Sequence, residues 1–267
     1  MVARRQADGR EDVPVTGLLE LALRGPAGFT IKRLGLVARG LFYLGRRYRC
    51  PVCGWPLRSF VARRSLLERT LDGYCPRCDA KARHRRIWLY LRRHTDLWSG
   101  RHRLLEIAPV WALARRFRGM ASIQYTGVDI RAAGPYVTVV GDVTALPLDD
   151  DSMDMVLCIH VLEHVERDRQ AMAELYRVLA PGGWALVSVP LRLNQPTYED
   201  FTVTEPSDRL RLFGEDVHVR FYGLDLRDRL EAAGFSVQLD RADDLPRDDC
   251  RRFGLRRDEH LFLCRKG

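Results

Sequence analysis

The chain has 267 residues, 46% of them hydrophobic and 30% charged, which is the balance of a globular protein with one large or two modest domains. No stretch offers the about 18 consecutive apolar residues of a membrane-spanning helix, and the first 15 residues lack the apolar segment of a secretory signal. We therefore expect a cytoplasmic protein without an integral membrane span. The net charge of +9 is uneven, with +13 on residues 1–100 and −4 on the rest, so a polyanionic partner would meet the N-terminal part.

Residues 1–48 are predicted to form an N-terminal arm followed by helices. Thr16 is a suitable cap for a short helix over residues 18–23. Residues 29–49 predict a second helix, because four leucine or valine side chains recur at helical spacing. These are Leu34, Val37, Leu41 and Leu44. Since arginines lie largely elsewhere on this helix, its apolar stripe either packs on the rest of the protein, which we favour, or lies on a membrane surface.

Seven cysteines include two Cys-x-x-Cys pairs separated by 21 residues. The four are Cys50, Cys53, Cys75 and Cys78. An odd total argues against a disulfide framework, and two thiolate pairs complete a tetrahedral shell for a structural Zn²⁺. Residues 49–80 are thus predicted as a small zinc ribbon, with a redox dithiol, unmetallated cysteines or iron in the same cage as alternatives. Gly54 and Asp79 follow the pairs, where a tight turn favours positive φ.

The rest of the chain alternates strand-like and helix-like segments. Residues 81–102 predict a linking helix, and residues 103–267 predict seven strands and several helices. The strand segments are RLLEIA, IQYTGVD, YVTVVGD, MDMVLCI, WALVSVP, FSVQLD and HLFLCR. The helix segments are WALARRF, RDRQAMAELYRVLA and LDLRDRLEAAG. This alternation is typical of an α/β protein with a doubly wound, mostly parallel sheet covered on both faces.

Four segments in this part carry a family resemblance. They are LLEIAP, YTGVD, GDVTALPLDDDSMDMVLCIHVLEHV and ELYRVLAPGGWALVSVP. On these, residues 103–267 resemble the class I S-adenosylmethionine (SAM)-dependent methyltransferases, of the type 11-like kind. With its two cysteine pairs, the whole chain resembles a zinc-ribbon-bearing subgroup of them. The resemblance implies a Rossmann-like seven-stranded domain, SAM as cofactor and methyl transfer as the activity.

The resemblance also implies a cofactor site at the carboxyl ends of the strands, where open α/β sheets bind ligands. The expected cofactor residues are Glu106, Ala108, Pro109, Asp129, Ile130, Asp142, Val143 and His160. Asp129 follows Glu106 by 23 positions, a spacing suited to gripping a ribose diol, and Asp142 is placed to read the adenine. Ala108 and Pro109 stand where the family has glycines. Because SAM carries no pyrophosphate for those glycines to cradle, we expect binding to be retained, with a scaffold that has lost the cofactor as the alternative.

His160 and His218 are the candidate catalytic residues. Methyl transfer is an in-line displacement, and a base is needed only for a hydroxyl or protonated amine acceptor. His160 ends the fourth strand, where a catalytic and a structural role are equally open, and His218 lies in a long segment expected to cover the acceptor pocket. Glu163 and His164 are expected to cap the following helix. Cys158 is expected to be a buried small hydrophobe.

The acceptor is expected to be a small-molecule or glycan-type hydroxyl. Tyr198, Glu199 and Asp200 lie in a segment expected to act as a lid, where loops carry specificity. The alternative is an RNA methyltransferase that docks RNA on the basic N-terminal region, for which the arginine-rich residues 83–86 and 92–93 are the candidates. The sequence does not set the oligomeric state.

Overall fold

The computed structural model describes residues 26–63, 72–132 and 134–267. The short helix predicted over residues 18–23 lies outside the described residues. Within the described ranges, no helix combines the length and the apolar character needed to cross a bilayer.

Seven α-helices are described. They are α1 (Pro26–Phe42), α2 (Ala82–His94), α3 (Trp111–Phe117), α4 (Asp168–Val178), α5 (Pro206–Phe213), α6 (Leu226–Ala232) and α7 (Arg247–Phe253). The strands of the N-terminal part are β1 (Leu44–Arg49), β2 (Pro56–Leu57), β3 (Val61–Arg63) and β4 (Asp72–Tyr74). The strands that follow are β5 (His102–Ile107), β6 (Ile123–Asp129), β7 (Val139–Val140), β8 (Met153–Ile159), β9 (Leu179–Ser188), β10 (Tyr198–Glu199), β11 (Arg220–Phe221), β12 (Ser236–Asp240) and β13 (Leu261–Arg265).

Seven strands form one central sheet in the order β12-β13-β9-β8-β5-β6-β7. Neighbouring strands are parallel from β9 to β7, and β13 alone runs antiparallel to its two neighbours. The central strands read as continuous apolar runs because both of their faces are covered. The mostly parallel seven-stranded α/β fold predicted from the sequence is therefore confirmed.

Two apolar layers cover the two faces of this sheet. On one face, α4 and α6 contribute buried side chains such as Leu175 and Leu230. On the other face, α2 and α3 contribute Ile87 and Phe117, and Leu57 of the cysteine-bearing part joins the same layer. The cysteine-bearing part is thus packed into the core of the sheet domain rather than attached by a free linker.

The helix predicted over residues 29–49 ends at Phe42, and its last six residues form β1 instead. Gly45 lies so close to the neighbouring strand that a Cβ there would come within 2.7 Å of the Arg58 backbone. This close pairing with β2 overrides the helical spacing. The expectation that the apolar stripe packs on the rest of the protein is also wrong. Leu34 and Leu41 of this stripe are 64% and 58% exposed, whereas Leu36, outside the stripe, is buried.

Candidate active site

A cavity of about 490 Å³ opens at the carboxyl ends of β5, β6, β7 and β8. Six of the eight residues expected to hold the cofactor line it. They are Ala108, Asp129, Ile130, Asp142, Val143 and His160. These residues come from four separate strand ends, which adjacent parallel strands place along one edge of the sheet.

Two of the strands end on a residue with left-handed backbone conformation. Ala108 after β5 has φ of +48°, and His160 after β8 has φ of +53°. Each is fixed by a backbone hydrogen bond, the Ala108 N–H donating to the Val128 carbonyl and the His160 N–H to the Ser188 carbonyl, both at 2.8 Å. A left-handed residue other than glycine is strained, and such strain concentrates at functional sites. Ala108 therefore takes over the backbone conformation that glycine adopts most easily, while adding only a methyl group.

Glu106 and Pro109, the other two expected cofactor residues, lie behind the loop and do not line the cavity. Glu106 is buried, and its carboxylate accepts hydrogen bonds from the Val110 N–H at 3.0 Å and the Tyr125 hydroxyl at 2.8 Å. Burial raises the pKa of Glu106 to about 7. Pro109 packs so closely on Gly127 that a Cβ there would lie 2.7 Å from the proline ring. Both residues therefore support the loop from the side that does not face the cavity.

The two aspartates at the cavity are each held by a local turn. One oxygen of Asp129 accepts the Arg131 N–H at 3.1 Å. One oxygen of Asp142 accepts both the N–H and the hydroxyl of Thr144 at 2.8 Å, and these hydrogen bonds lower the pKa of Asp142. Thr144 also lines the cavity and was missed in the sequence, although it directly follows the predicted pair Asp142 and Val143.

His160 lies between two carboxylates. Its Nδ1 is 3.3 Å from Glu163, and its Nε2 is 3.4 Å from Glu259. Burial alone lowers the pKa of His160, but the contacts with both carboxylates outweigh it and raise the pKa above its ordinary value. This environment favours the protonated ring, which suits binding and positioning better than proton abstraction. Glu259 was not found from the sequence because it lies 99 residues away and belongs to no motif.

His218 is buried and does not line the cavity. Its ring packs edge-on against that of His164 with centroids 4.7 Å apart, and His164 does line the cavity. Burial lowers the pKa of His218. Glu163 and His164 belong to a 3₁₀ turn over Leu162–His164, and the next helix begins only at Asp168. The expectation that they cap this helix is therefore wrong.

The segment expected to act as a lid is anchored by ion pairs. Tyr198–Glu199 pairs with Arg220–Phe221, and Glu199 accepts hydrogen bonds from Arg220 at 2.8 Å and Arg229 at 3.0 Å. The Asp200 carboxylate accepts hydrogen bonds from the backbone N–H and the hydroxyl of Thr202, and these close a turn. Cys158 is fully buried among apolar side chains, as expected.

The four cysteines of the two pairs form one cluster, in which Sγ of Cys50 and Cys78 are 3.6 Å apart and Sγ of Cys53 and Cys75 are 3.7 Å apart. All four sulfurs lie within 4.8 Å of one another. The expected turns are confirmed, because Gly54 has φ of +74° and Asp79 has φ of +64°. The donor set and its spacing fit a tetrahedral thiolate site.

Two arginines of the basic stretch at residues 83–86 are buried in the protein. Arg85 donates hydrogen bonds to the carbonyls of Gly73, Ala80, Phe253 and Gly254. Arg86 pairs with Asp240. These guanidinium groups hold the cysteine-bearing part and the C-terminal segment together and do not offer a surface to a polyanion.

Comparison with known proteins relates this chain to methyltransferases. Residues 111–187 match the family model of a methyltransferase domain. A probable S-adenosylmethionine-dependent methyltransferase of Mycolicibacterium smegmatis is 35% identical over 128 residues, 47% of this chain and 46% of that protein. An uncharacterized methyltransferase of Mycobacterium ulcerans is 49% identical over 81 residues, 26% of this chain and 31% of that protein. The chain thus spans about half of the length of the first relative and about a third of the length of the second.

Among solved structures, the S-adenosylmethionine-dependent methyltransferase of Mesorhizobium loti superposes with a TM-score of 0.50 at 19% identity, over 67% of this chain and 97% of that one. At this identity the likeness shows the fold. Residues 111–187 thus match a methyltransferase domain, and the sheet around them has the fold of the Mesorhizobium loti methyltransferase.

Proposed function

We propose that this protein binds SAM in the cavity at the ends of β5 to β8 and transfers its methyl group to a hydroxyl of a small-molecule or glycan-type acceptor. The observation that carries the proposal is the gathering of Ala108, Asp129, Asp142 and His160 around one cavity of about 490 Å³. This volume lies within the range of small-molecule and cofactor sites.

Each lining residue has a chemical role in this proposal. The Asp129 carboxylate accepts hydrogen bonds from the ribose hydroxyls, and Asp142 accepts one from the adenine amino group. Ile130 and Val143 pack on the adenine ring. Ala108 keeps the loop backbone close to the cofactor, and His160 forms the wall beneath it. SAM supplies an electrophilic methyl group, so positioning provides much of the acceleration.

The replacement of Asp129 by alanine tests cofactor binding. Hydrogen bonds to a charged group contribute about 1.5–3 kcal/mol each, so losing even one should weaken SAM binding at least about tenfold. We expect calorimetry to show this loss for Asp129→Ala. The exposed Asp228 lies in α6, so Asp228→Ala is the matched control and should keep full affinity.

Two outcomes would contradict the proposal. An unchanged affinity of Asp129→Ala would remove this carboxylate from the site. No heat of binding for the unaltered protein would instead favour the scaffold alternative.

We also propose that the four-cysteine cluster holds a structural Zn²⁺. Support comes from the sulfur spacing and from the backbone turn that closes each Cys-x-x-Cys pair. The Gly54 N–H donates to the Cys50 carbonyl and the Asp79 N–H to the Cys75 carbonyl, both at 2.8 Å. Four thiolates fill the coordination shell, so the ion would stabilise the fold and take no part in methyl transfer.

RNA is a second candidate acceptor. The surface that favours it is a cleft outside the arginine-rich residues 83–86 and 92–93 named from the sequence. Arg77, Arg115 and Arg116 line a cleft of about 510 Å³ between the cysteine cluster and α3, with Trp55 beside them. Arginine and aromatic side chains in one groove suit phosphates and stacked bases. The test is fluorescence anisotropy with single-stranded RNA over a range of salt. Binding that weakens steeply with salt and is lost in a triple arginine-to-glutamine variant supports RNA, and its absence leaves the small acceptor.

A further inference from the structure

A second group of metal-ligating side chains lies at the wall of the cavity. Glu163, His164 and His218 each bring one ligand atom within 4.8 Å of the others. Backbone contacts hold the two distant segments together, because the Val219 N–H donates to the Glu163 carbonyl at 3.0 Å. Arg220 adds a hydrogen bond to the Leu162 carbonyl at 2.9 Å. The tertiary structure therefore builds this group, which is distinct from the cysteine cluster.

The Glu163 carboxylate is buried beside the His160 ring. Its residue is only 1% exposed, and among the described residues neither of its side-chain oxygens accepts a hydrogen bond. His160 approaches to 3.3 Å without hydrogen-bond geometry. Among the described residues these oxygens therefore remain available as ligands for a cation beside His164 and His218.

The charges next to this group come from several elements. Glu163 and Glu259 flank His160, and against the effect of burial His160 together with Arg83 lowers the pKa of Glu259. The guanidinium of Arg220 is directed at Glu199 and at the carbonyls of Leu162 and Glu166. The group thus combines two imidazoles with one carboxylate whose oxygens accept no hydrogen bond from the described residues.

We propose that Glu163, His164 and His218 bind a divalent transition-metal ion such as Zn²⁺, Mn²⁺ or Co²⁺. Two imidazoles and one carboxylate are the ligand set of catalytic rather than structural sites, since three protein ligands leave a coordination position open. Bonds of about 2.1 Å to a shared ion require the three side chains to close in slightly from their present spacing. Because His164 also lines the cavity, an ion held by its ring would lie at the edge of the space proposed for substrates.

For catalysis the inference rests on the proposed function. An acceptor hydroxyl bound at the open position loses its proton more readily, because the ion stabilises the alkoxide. The alkoxide oxygen then forms a bond to the methyl carbon of SAM while the carbon–sulfur bond breaks. The electron pair of that bond stays on sulfur as a neutral thioether, and the hydroxyl proton leaves to water. No further base is required.

The experiment is a Co²⁺ titration of the full chain followed by dialysis and metal analysis. We expect two ions per chain, one with the thiolate-to-cobalt absorption of the cysteine cluster and one without it. Glu163→Gln and His164→Ala should each retain only the thiolate-bound ion. His94→Ala removes an exposed histidine of α2 and should keep both ions. Because His164 is exposed, its replacement should leave the circular dichroism spectrum unchanged.

A single, thiolate-bound ion in the unaltered chain would overturn the inference, as would two ions in both variants. Calorimetry with SAM on the same samples separates this inference from the proposed function. SAM binding with one ion overturns the metal site and leaves the cofactor assignment. Two ions without SAM binding support the metal site and overturn the proposed function.

Discussion

Glu106 is a residue whose role is set by what surrounds it. It lies one residue before the end of β5, but its side chain does not line the cavity and accepts hydrogen bonds from Val110 and Tyr125. The carboxylate thereby holds the loop that carries Ala108, whose strained backbone lines the cavity. Glu106 thus acts on the cofactor site through the loop.

This burial predicts a pH dependence of stability. The folded pKa of about 7 lies above the ordinary value of 4.5, so the fold favours the neutral acid. The stabilising contribution is full below about pH 4.5 and is lost as the pH rises through about 7, a change of about 3 kcal/mol. Urea unfolding of the unaltered chain and of Glu106→Gln, measured from pH 4.5 to 8, should diverge by this amount.

The exposed Glu205 provides the control, since Glu205→Gln should follow the unaltered protein at every pH. Parallel stability curves for the chain and Glu106→Gln would contradict the argument.

At the scale of elements, Arg220 ties β11 to its surroundings. It is fully buried and donates to Glu199 at 2.8 Å and to the carbonyls of Leu162 and Glu166 at 2.9 and 2.8 Å. These contacts place the segment that carries His218 against the 3₁₀ turn after β8. One guanidinium group thus connects β10, β11 and this turn.

Replacing Arg220 by methionine should destabilise the protein by about 3–5 kcal/mol, the usual effect of breaking a buried ion pair. Arg229 keeps two hydrogen bonds to Glu199, so the result should fall at the lower end of this range. Urea unfolding measures the change. Arg227→Met, which removes an exposed helix-surface pair, should be indistinguishable from the unaltered protein. Equal stability of both variants would show that the segment is held by other contacts.

At the scale of the whole molecule, the cysteine-bearing part and the sheet share one apolar layer. Val52 and Leu57 pack in the same cluster as Trp88, Leu104 and Trp184. Arg85 adds hydrogen bonds from α2 to both the cysteine-bearing part and the C-terminal segment. Unfolding of the cysteine-bearing part should therefore lower the stability of the sheet.

We expect Cys75→Ser to lose the ion proposed at the cysteine cluster and to lower the stability of the entire chain by several kcal/mol in one transition. Metal binding that requires the folded site contributes directly to folding free energy. Far-UV circular dichroism and tryptophan fluorescence should give coincident unfolding curves. Cys250→Ser, which alters a cysteine outside the cluster, should retain the ion and the stability. Two separate transitions, with the sheet unaffected, would mean that the parts fold independently.

The sequence by itself determined the order of strands and helices in the sheet domain and the bounds of several of them. Three predicted elements coincide with the observed Trp111–Phe117, Ile123–Asp129 and Met153–Ile159. The positive φ of Gly54 and Asp79 was also anticipated. These features depend on neighbours within a few residues, through apolar periodicity and turn chemistry, and such neighbours are visible in the sequence.

Only the tertiary structure decided which charged side chains are buried and what they face. The contact of His160 with Glu259, the convergence of Glu163 with His218 and the burial of Arg85 all join segments far apart in the chain. Helix and strand periods report on one element at a time, whereas these contacts are set by how elements pack. A side chain's charge state and reactivity depend on that packing, since burial and partner charges set the energy of an ionised group.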